Sequence, residues 1–498
     1  MTNTSKFIKA FRSEAPSCSL LSLTASIAFA ASASAAEFPI KAPPVIPDLT
    51  WHGITLIGTI DVSGQYQYNG APYAGNIYSP SSLIAPTNRS SQFLLAPNQS
   101  RQSYVGVKVE ENLASDLNFI ARAEMGFIPT TGELADGLKS VKINNGIALN
   151  QQNFNADGSR AGQILNGEAW AGFDSKQWGT VHVGRNLSVS ADMLGAYDPL
   201  ASFGFSLLGY VSYFSGMGSA ETAIIDDSIK YLKNWGPVRI EAMYGHPNTN
   251  AKDFWQAEIG YVLPQFSIDA LGGVMHDAIS VSSLSSTLPG ALGSNFLGAR
   301  VFDASMYGVL AKYVFPVGVN GPLSTAASKF ILSGGYSRVT FSNPADGGRT
   351  PGFSTIGSYQ IGPTLSQNGS SGFGIVNYSY TGGDRLVDIS FITGKYQYDD
   401  QLAFTLAYYR FDQNSYGHGV NSIPGITAAS FSNADCSSAS FLNCAGSEQV
   451  GSFRVDYQYT KNLMFYAGMA YSKVSGGLAF GYLKTYTYDP TIGLRFTF

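Results

Sequence analysis

The stretch from Ile54 to Tyr68 alternates in character over fifteen residues. Its even positions are Ile54, Leu56, Gly58, Ile60, Val62, Gly64, Tyr66 and Tyr68, and the odd positions between them include Thr55, Thr59, Asp61, Ser63, Gln65 and Gln67. Side chains of a strand point to opposite faces in turn, so one face is apolar and the other polar. The run is longer than an ordinary soluble strand of about five or six residues and suits a tilted crossing of a bilayer. The last eight residues repeat the pattern, with Ile492, Leu494, Phe496 and Phe498 on one face and Thr491, Gly493, Arg495 and Thr497 on the other. In an open sandwich such a final strand would be an unprotected edge. In a closed barrel it has a neighbour on each side, and that is the expectation here.

Composition supports a surface that does not face water. Charged residues are 13% of the chain, about half the usual quarter. Outside the N-terminus no apolar run reaches the roughly 18 residues of a spanning helix, which leaves a closed barrel as the way across a bilayer. The alternation recurs. Val105, Val107 and Val109 face away from Gly106, Lys108 and Glu110, and Phe119, Ala121, Ala123, Met125 and Phe127 face away from Asn118, Arg122 and Glu124. Further strands centre on Trp170, Val181, Ile229, Ile240, Ile259, Ile268, Val309, Leu332, Ile389, Leu406, Val455 and Phe465, which with the closing strand makes sixteen. Connections alternate between short, as at Ser175-Lys176-Gln177 or Asp399-Asp400, and long: roughly 69–100, 129–161, 187–224, 277–302, 342–384 and 413–446. Short turns on one side and long loops on the other is the outer-membrane arrangement, and an even strand number puts both termini on the periplasmic side. Residues 316–327 are long for a turn and 247–252 short for an outer loop, so one strand is open to reassignment. Tyr66, Tyr68, Tyr396, Tyr398, Tyr408, Tyr457, Tyr459 and Tyr471 suit interfacial girdles.

Residues 1–36 read as a signal peptide, with Lys6, Lys9 and Arg12 before the apolar run Leu20 to Ala30 and small residues up to Ala36. Cleavage before Glu37 removes three bases and Glu14, taking the net charge from −4 to −6. A Pro-rich tether over 37–52 precedes a barrel over 53–498. Cys436 and Cys444 read as a local disulfide in an exported chain, with a zinc site as rival and His418 as the nearby histidine. The five histidines are scattered and no nucleophile motif stands out, so the chain reads as no enzyme, with no cofactor and no nucleic-acid partner.

Several motifs, in order, resemble the general porin family of Gram-negative outer membranes. Gln102 to Glu111 resembles that family's second strand, Phe119 to Phe127 its third, Glu168 to Phe173 its fourth, Trp178 to Asn186 its fifth, and Asp226 to Tyr231 and the final phenylalanine also fit. The likeness spans about 51–498 and is motif-dense up to Tyr231. It implies a sixteen-stranded homotrimer among outer-membrane lipids, passing ions and small hydrophilic solutes. It also implies a loop after the fifth strand, about 187–225, folded inward to narrow the channel, its acids facing bases on the opposite wall. Phe498 resembles the signal read by the barrel-assembly machinery. The sequence departs from the family where Tyr104 and Gly167 stand, since bases are common at both positions.

The expected lining of the narrowing is therefore Asp192 and Asp198 on the loop, with Lys108, Arg122, Glu124, Arg185, Lys230 and Arg239 on the wall. Strand parity puts Lys108, Arg122, Lys230 and Arg239 on the lumen side. A narrow pore with low-dielectric walls focuses fields, so a few fixed charges set selectivity. The weakened basic ladder and the negative charge point to a mild cation preference. A sugar- or carboxylate-specific channel, with Tyr104 and Tyr197 as aromatic hints, is the alternative, and a structural or adhesive surface barrel or a barrel enzyme the others.

Overall fold

The computed structural model describes residues 49–498 apart from 74, 76–77, 81, 136–163, 202–203, 211, 220–222, 248–251, 283–297, 318–327, 345–354, 357–358, 361–374, 377–379, 381–382, 417–444 and 480–481. The expected signal peptide, most of the tether, and Cys436 and Cys444 lie outside the described residues. Sixteen strands follow one another: β1 (Ile54–Gly70), β2 (Ser90–Pro97 continued by Tyr104–Ala114), β3 (Leu117–Gly126), β4 (Ala169–Ser175), β5 (Gly179–Leu187), β6 (Ile224–Trp235), β7 (Val238–Gly245), β8 (Asp253–Val262), β9 (Phe266–Ser282), β10 (Gly298–Pro316), β11 (Lys329–Ser342), β12 (Arg385–Gln397), β13 (Leu402–Gln413), β14 (Gly446–Gln458), β15 (Leu463–Gly476) and β16 (Tyr486–Thr497). Each pairs antiparallel with the next, and β16 returns to β1 from Thr59↔Thr497 to Gln65↔Thr491, so the sheet closes. Phe498 completes the seam: its N–H donates to the Gly58 carbonyl at 3.0 Å and its own carbonyl accepts from Gly58 N–H at 2.9 Å. Closure leaves no edge to be capped, which a strand in lipid requires.

The expected strand centres all fall inside these strands, and most of the two irregular connections lies outside the described residues. Two loop bounds are corrected. Ser90–Pro97, expected within the loop 69–100, pairs with β1 from Val62↔Pro97 to Gly70↔Ser90. The chain leaves the ladder after Pro97 and resumes at Thr59↔Tyr104, so residues 98–103 stand opposite only Ile60 and Asp61. Asp61 catches this excursion: its carboxylate accepts from the N–H groups of Ser100 (2.8 Å) and Arg101 (2.6 Å) and from the Tyr466 hydroxyl (2.6 Å). The loop expected over 277–302 is also shorter, because β9 runs to Ser282 and β10 starts at Gly298.

Parity holds. In β1 the odd residues Thr59, Asp61, Gln65 and Gln67 are buried inside the barrel, whereas Ile54, Leu56, Ile60 and Tyr66 are exposed outside. Exposed Tyr307, Tyr336, Tyr408 and Tyr471 form an outward girdle on the long-loop side, and Trp235, Tyr261, Tyr313, Tyr457 and Tyr459 one on the turn side. The upper girdle slips toward the turns as strand number rises. Tyr336 pairs with Ser390 and Ser390 with Arg410, two residues beyond Tyr408. Tilted barrel strands produce this slip at constant height.

Candidate functional site

The connection between β5 and β6 does not stay outside. It begins with Ser188, whose side chain caps α1 (Val189–Tyr197) by accepting from Ala191 N–H at 3.2 Å. The helix ends at Asp198 because Pro199 disfavours helical geometry in the residue before it. Two short helices follow, α2 (Leu207–Tyr210) and α3 (Ser212–Gly216). Val189, Met193, Leu194, Leu200, Phe205, Leu207, Phe214 and Met217 of this segment are buried against inward residues of the wall, among them Met243, Phe254, Leu271, Met306 and Leu310 on β7–β10 and Phe341 and Ile389 on β11 and β12. Each such side chain removed from water contributes about 1.5–3 kcal/mol, so the loop is drawn into the barrel rather than left in solvent. The apolar inward residues of β7–β12 depart from a polar lumen because the loop covers them.

Bases on alternate wall strands hold the loop along its path. Lys230 of β6 donates to the Leu187 carbonyl at 2.9 Å, pairs with Asp192, and pairs with Glu241 at 2.8 Å. Lys312 of β10 donates to the Ala196 carbonyl at 2.9 Å and lies 5.3 Å from the centre of the Tyr197 ring. Arg454 of β14 reaches the Pro199 carbonyl at 3.4 Å and stands over Phe205. Arg385 of β12 donates to the Tyr213 hydroxyl at 3.0 Å and stands over its ring. The tip is tied down as well. Ser452 donates to the Phe205 carbonyl at 2.6 Å, and Gly204 N–H donates to the Gln99 carbonyl of the β2 excursion at 3.0 Å. The loop thus crosses the lumen from β5 to β14 and narrows it.

The sequence matches the Gram-negative porin family over residues 22–477. The chain belongs to that family. No curated protein matches it in sequence. Solved structures that share the architecture include an anion-selective porin from Comamonas acidovorans, 14% identical over 89% of this chain and 99% of that one with a TM-score of 0.53. Others are OmpT of Vibrio cholerae (12% identical, 91% and 100% covered, TM-score 0.49) and the DcaP channel of Acinetobacter baumannii (11%, 89% and 97%, 0.46). At such identities the likeness concerns the fold. This porin is an outer-membrane channel for passive diffusion, and the loop-narrowed section is its candidate site.

The wall residues expected at the narrowing fall into three settings. Arg122 faces the lumen from β3, 2.5 Å from Glu124 and 3.5 Å from Glu168. Arg239 on β7 pairs with Glu258 at 2.8 Å and with Asp269, and the Tyr197 hydroxyl donates to Asp269 at 2.5 Å. Lys230 is inward but only 4% exposed beneath the loop, while its partner Asp192 is 39% exposed to the lumen. Lys108 lies on the inner face of β2, 3.2 Å from Glu110. Arg185 is buried after a break in the β5 ladder, where it pairs with Asp226 and donates to the Gly167 carbonyl at 3.0 Å. A Cβ at Gly167 would meet the Glu124 Cβ at 2.6 Å, which accounts for the absence of the base common in the family at that position.

Asp198 is 2% exposed, under the loop. It accepts from Leu200 N–H (2.9 Å), Ser206 Oγ (2.5 Å) and the Tyr409 hydroxyl (2.8 Å), and burial pushes its carboxyl above the usual range. Sequence reading missed Glu241, Glu258 and Asp269, which join Glu124, Glu168 and Asp192 on the β3–β9 side against the three bases Arg122, Lys230 and Arg239. It also missed Lys312, Lys395, Arg454 and Arg495 on the other side. Strand parity alone would have put all of these inward. Trp170 and His182, inward on β4 and β5, stack with ring centres 3.6 Å apart. Among the described residues no group of three or more His, Cys, Asp or Glu side chains is arranged to hold a metal ion.

Proposed function

We propose that this porin passes ions and small hydrophilic solutes through the lumen left beside the loop, with a mild cation preference and no catalytic role. The observation that carries the reading is the loop crossing the lumen beside a wall where the carboxylates of Asp192 and Glu168 stay open to it. Fixed charge in a narrow pore biases ion concentrations at that point. Among the described loop residues, Asp192 is the acid most open to passing ions. The family resemblance supports a homotrimer, removal of residues 1–36 on export, and recognition of Phe498 by the assembly machinery. The apolar outward face supports lipids as the surroundings.

Planar-bilayer recording of the purified protein under a potassium chloride gradient tests this. Stepwise openings, in threes for a trimer, and a reversal potential of the cation-selective sign are expected. A folded barrel that never conducts would overturn the diffusion reading. The Trp170–His182 stack favours a second reading, a channel that prefers planar solutes or sugars, which saturating solute flux would distinguish from free diffusion.

A further inference from the structure

The connection between β1 and β2, residues 71–89, carries the apolar run Leu83-Ile84-Ala85. A loop left in water gains nothing from such side chains, whereas burial contributes about 1.5–3 kcal/mol for each large one. Here they are buried: Leu83 is 0% and Ile84 2% exposed, in one apolar cluster with Leu200, Phe205 and Phe214 of the crossing loop between β5 and β6. Ile84 N–H donates at 2.6 Å to Ser472 Oγ, on the inner face of β15. This connection is therefore a second one folded into the barrel.

Its contacts follow the wall from β15 round to β2. Gln65 of β1 donates to Ser82 Oγ at 3.1 Å and to Thr491 Oγ1 of β16 at 2.9 Å. Asn88 donates to the Asn69 carbonyl of β1 at 2.6 Å, and Asn98 of the β2 excursion donates to the Tyr78 carbonyl at 2.8 Å. Gln99 then joins this segment to the crossing loop. Its amide nitrogen donates to Ser79 Oγ at 2.7 Å, and its amide oxygen accepts from Ser82 Oγ and, at 3.1 Å, from Gln65 Nε2. Its backbone carbonyl holds Gly204 N–H of the crossing loop. Gln65, Ser79, Ser82 and Gln99 are all fully buried, and a buried polar network with its partners in place holds one geometry.

The crossing loop covers the wall from Lys230 on β6 to Ser452 on β14, and residues 71–89 cover it from β15 to β2. The inner face of β3–β5 is left. There Arg122 keeps 27% and Glu168 20% of the side chain open, and Trp170 and His182 are half-buried. Asp192 of the crossing loop, 39% exposed, lies within electrostatic reach of His182. We propose that residues 71–89 are a second constriction loop and that Gln99 is the positioning residue that locks it to the first. Together they confine solutes to one sector of the lumen, over Trp170 and His182 and past Asp192, and so set the size limit of the channel. The inference rests on the loop-narrowed lumen being the solute path.

The test is single-channel conductance in potassium chloride, with and without neutral polyethylene glycols of graded size. Wild type is compared with Gln99→Ala, Ile84→Ser and, as a control at the seam, Gly58→Val. Releasing the second loop adds the β15–β2 arc to the open β3–β5 sector, so Gln99→Ala and Ile84→Ser should raise conductance about twofold and admit polymers that wild type excludes. Gly58→Val crowds the Phe498 ring, away from both loops, and should keep the wild-type conductance and polymer cut-off even as it lowers stability. Conducting Gln99→Ala channels with the wild-type conductance and cut-off overturn the proposal. Hydrogen exchange in wild type gives a check that needs no variant to fold: the Ile84 amide should exchange as slowly as the Asp198 amide at the end of α1, and exchange as fast as in a free loop overturns the proposal as well. Absence of any conductance from folded protein instead sinks the diffusion reading on which the proposal rests.

Discussion

Replacing Asp198 by alanine removes the acceptor on which the loop's first bend is built. Three donors lose their partner: Leu200 N–H, Ser206 Oγ and the Tyr409 hydroxyl, the last two fully buried. Hydrogen bonds to a charged group contribute about 1.5–3 kcal/mol each, and a buried donor left unsatisfied costs about 1–3 kcal/mol. Removing the carboxylate also relieves its own desolvation, which offsets part of that loss. A net change of about 3 kcal/mol follows, or on the order of 100-fold in the ratio of docked to undocked loop. The β ladder does not run through Asp198, so the barrel stays folded. The expected result is excess open-channel noise and faster hydrogen exchange in α1, with little change in reversal potential. Quiet channels with a shifted reversal potential would refute the reasoning, because they would put the carboxylate in front of the ions rather than behind the loop. The pH dependence has a definite sign. Burial raises the Asp198 carboxyl, so docking favours its neutral form. That contribution is complete below the usual carboxylate pKa and is lost as pH rises through the raised value. Loop noise in wild type should therefore grow from acid toward neutral pH, and Asp198→Asn should flatten the trend.

Two further predictions concern the seam and the turn side. A Cβ at Gly58 would run into the Phe498 ring, so Gly58→Val should displace the ring and cost about 1–3 kcal/mol as overpacking; a lower thermal midpoint on unheated gels checks it, and an unchanged midpoint would count against the seam as drawn. Asp116, in the turn after β2, accepts from Ser175 Oγ at 2.7 Å and from the N–H groups of Lys176 and Gln177, and the Ser175 bond leads in holding its carboxyl below the ordinary range. Its contribution is present above the ordinary carboxylate pKa and lost as pH falls through the depressed value. Asp116→Ala should therefore be less stable than wild type at neutral pH and indistinguishable in strong acid; a gap that persists there would mean the charge is not the cause.

What was legible in the sequence was the side each residue faces. Period two in Ile54–Tyr68 gives inward Asp61 and Gln65 and outward Ile60 and Tyr66, and sixteen such patterns count the strands correctly. The split of β2 was hidden because Pro97 to Ser103 carries no alternation. It reads as loop, and only the long-range pairing of Ser90–Pro97 with β1 reveals strand on its far side.

What parity cannot give is what lies over an inward residue. Lys230 and Asp192 form one ion pair, yet the base is 4% and the acid 39% exposed, because the loop covers the wall from one side only. Covering depends on contacts between Phe205 and β14, or Tyr197 and β9, that are long-range and have no period. The same gap explains the missed bases. Family motifs thin out beyond Tyr231, so Lys395 and Arg495 had no pattern to single them out, although their parity was plain. A charge set for selectivity is thus fixed twice in such a barrel, once by which face a strand gives it and once by whether the crossing loop leaves it in water. The second condition predicts a graded outcome across the wall bases. Neutralising Lys395, half open, should move selectivity; neutralising Lys230, roofed by α1, should loosen the loop first. Equal selectivity shifts from both would show that the roof does not screen.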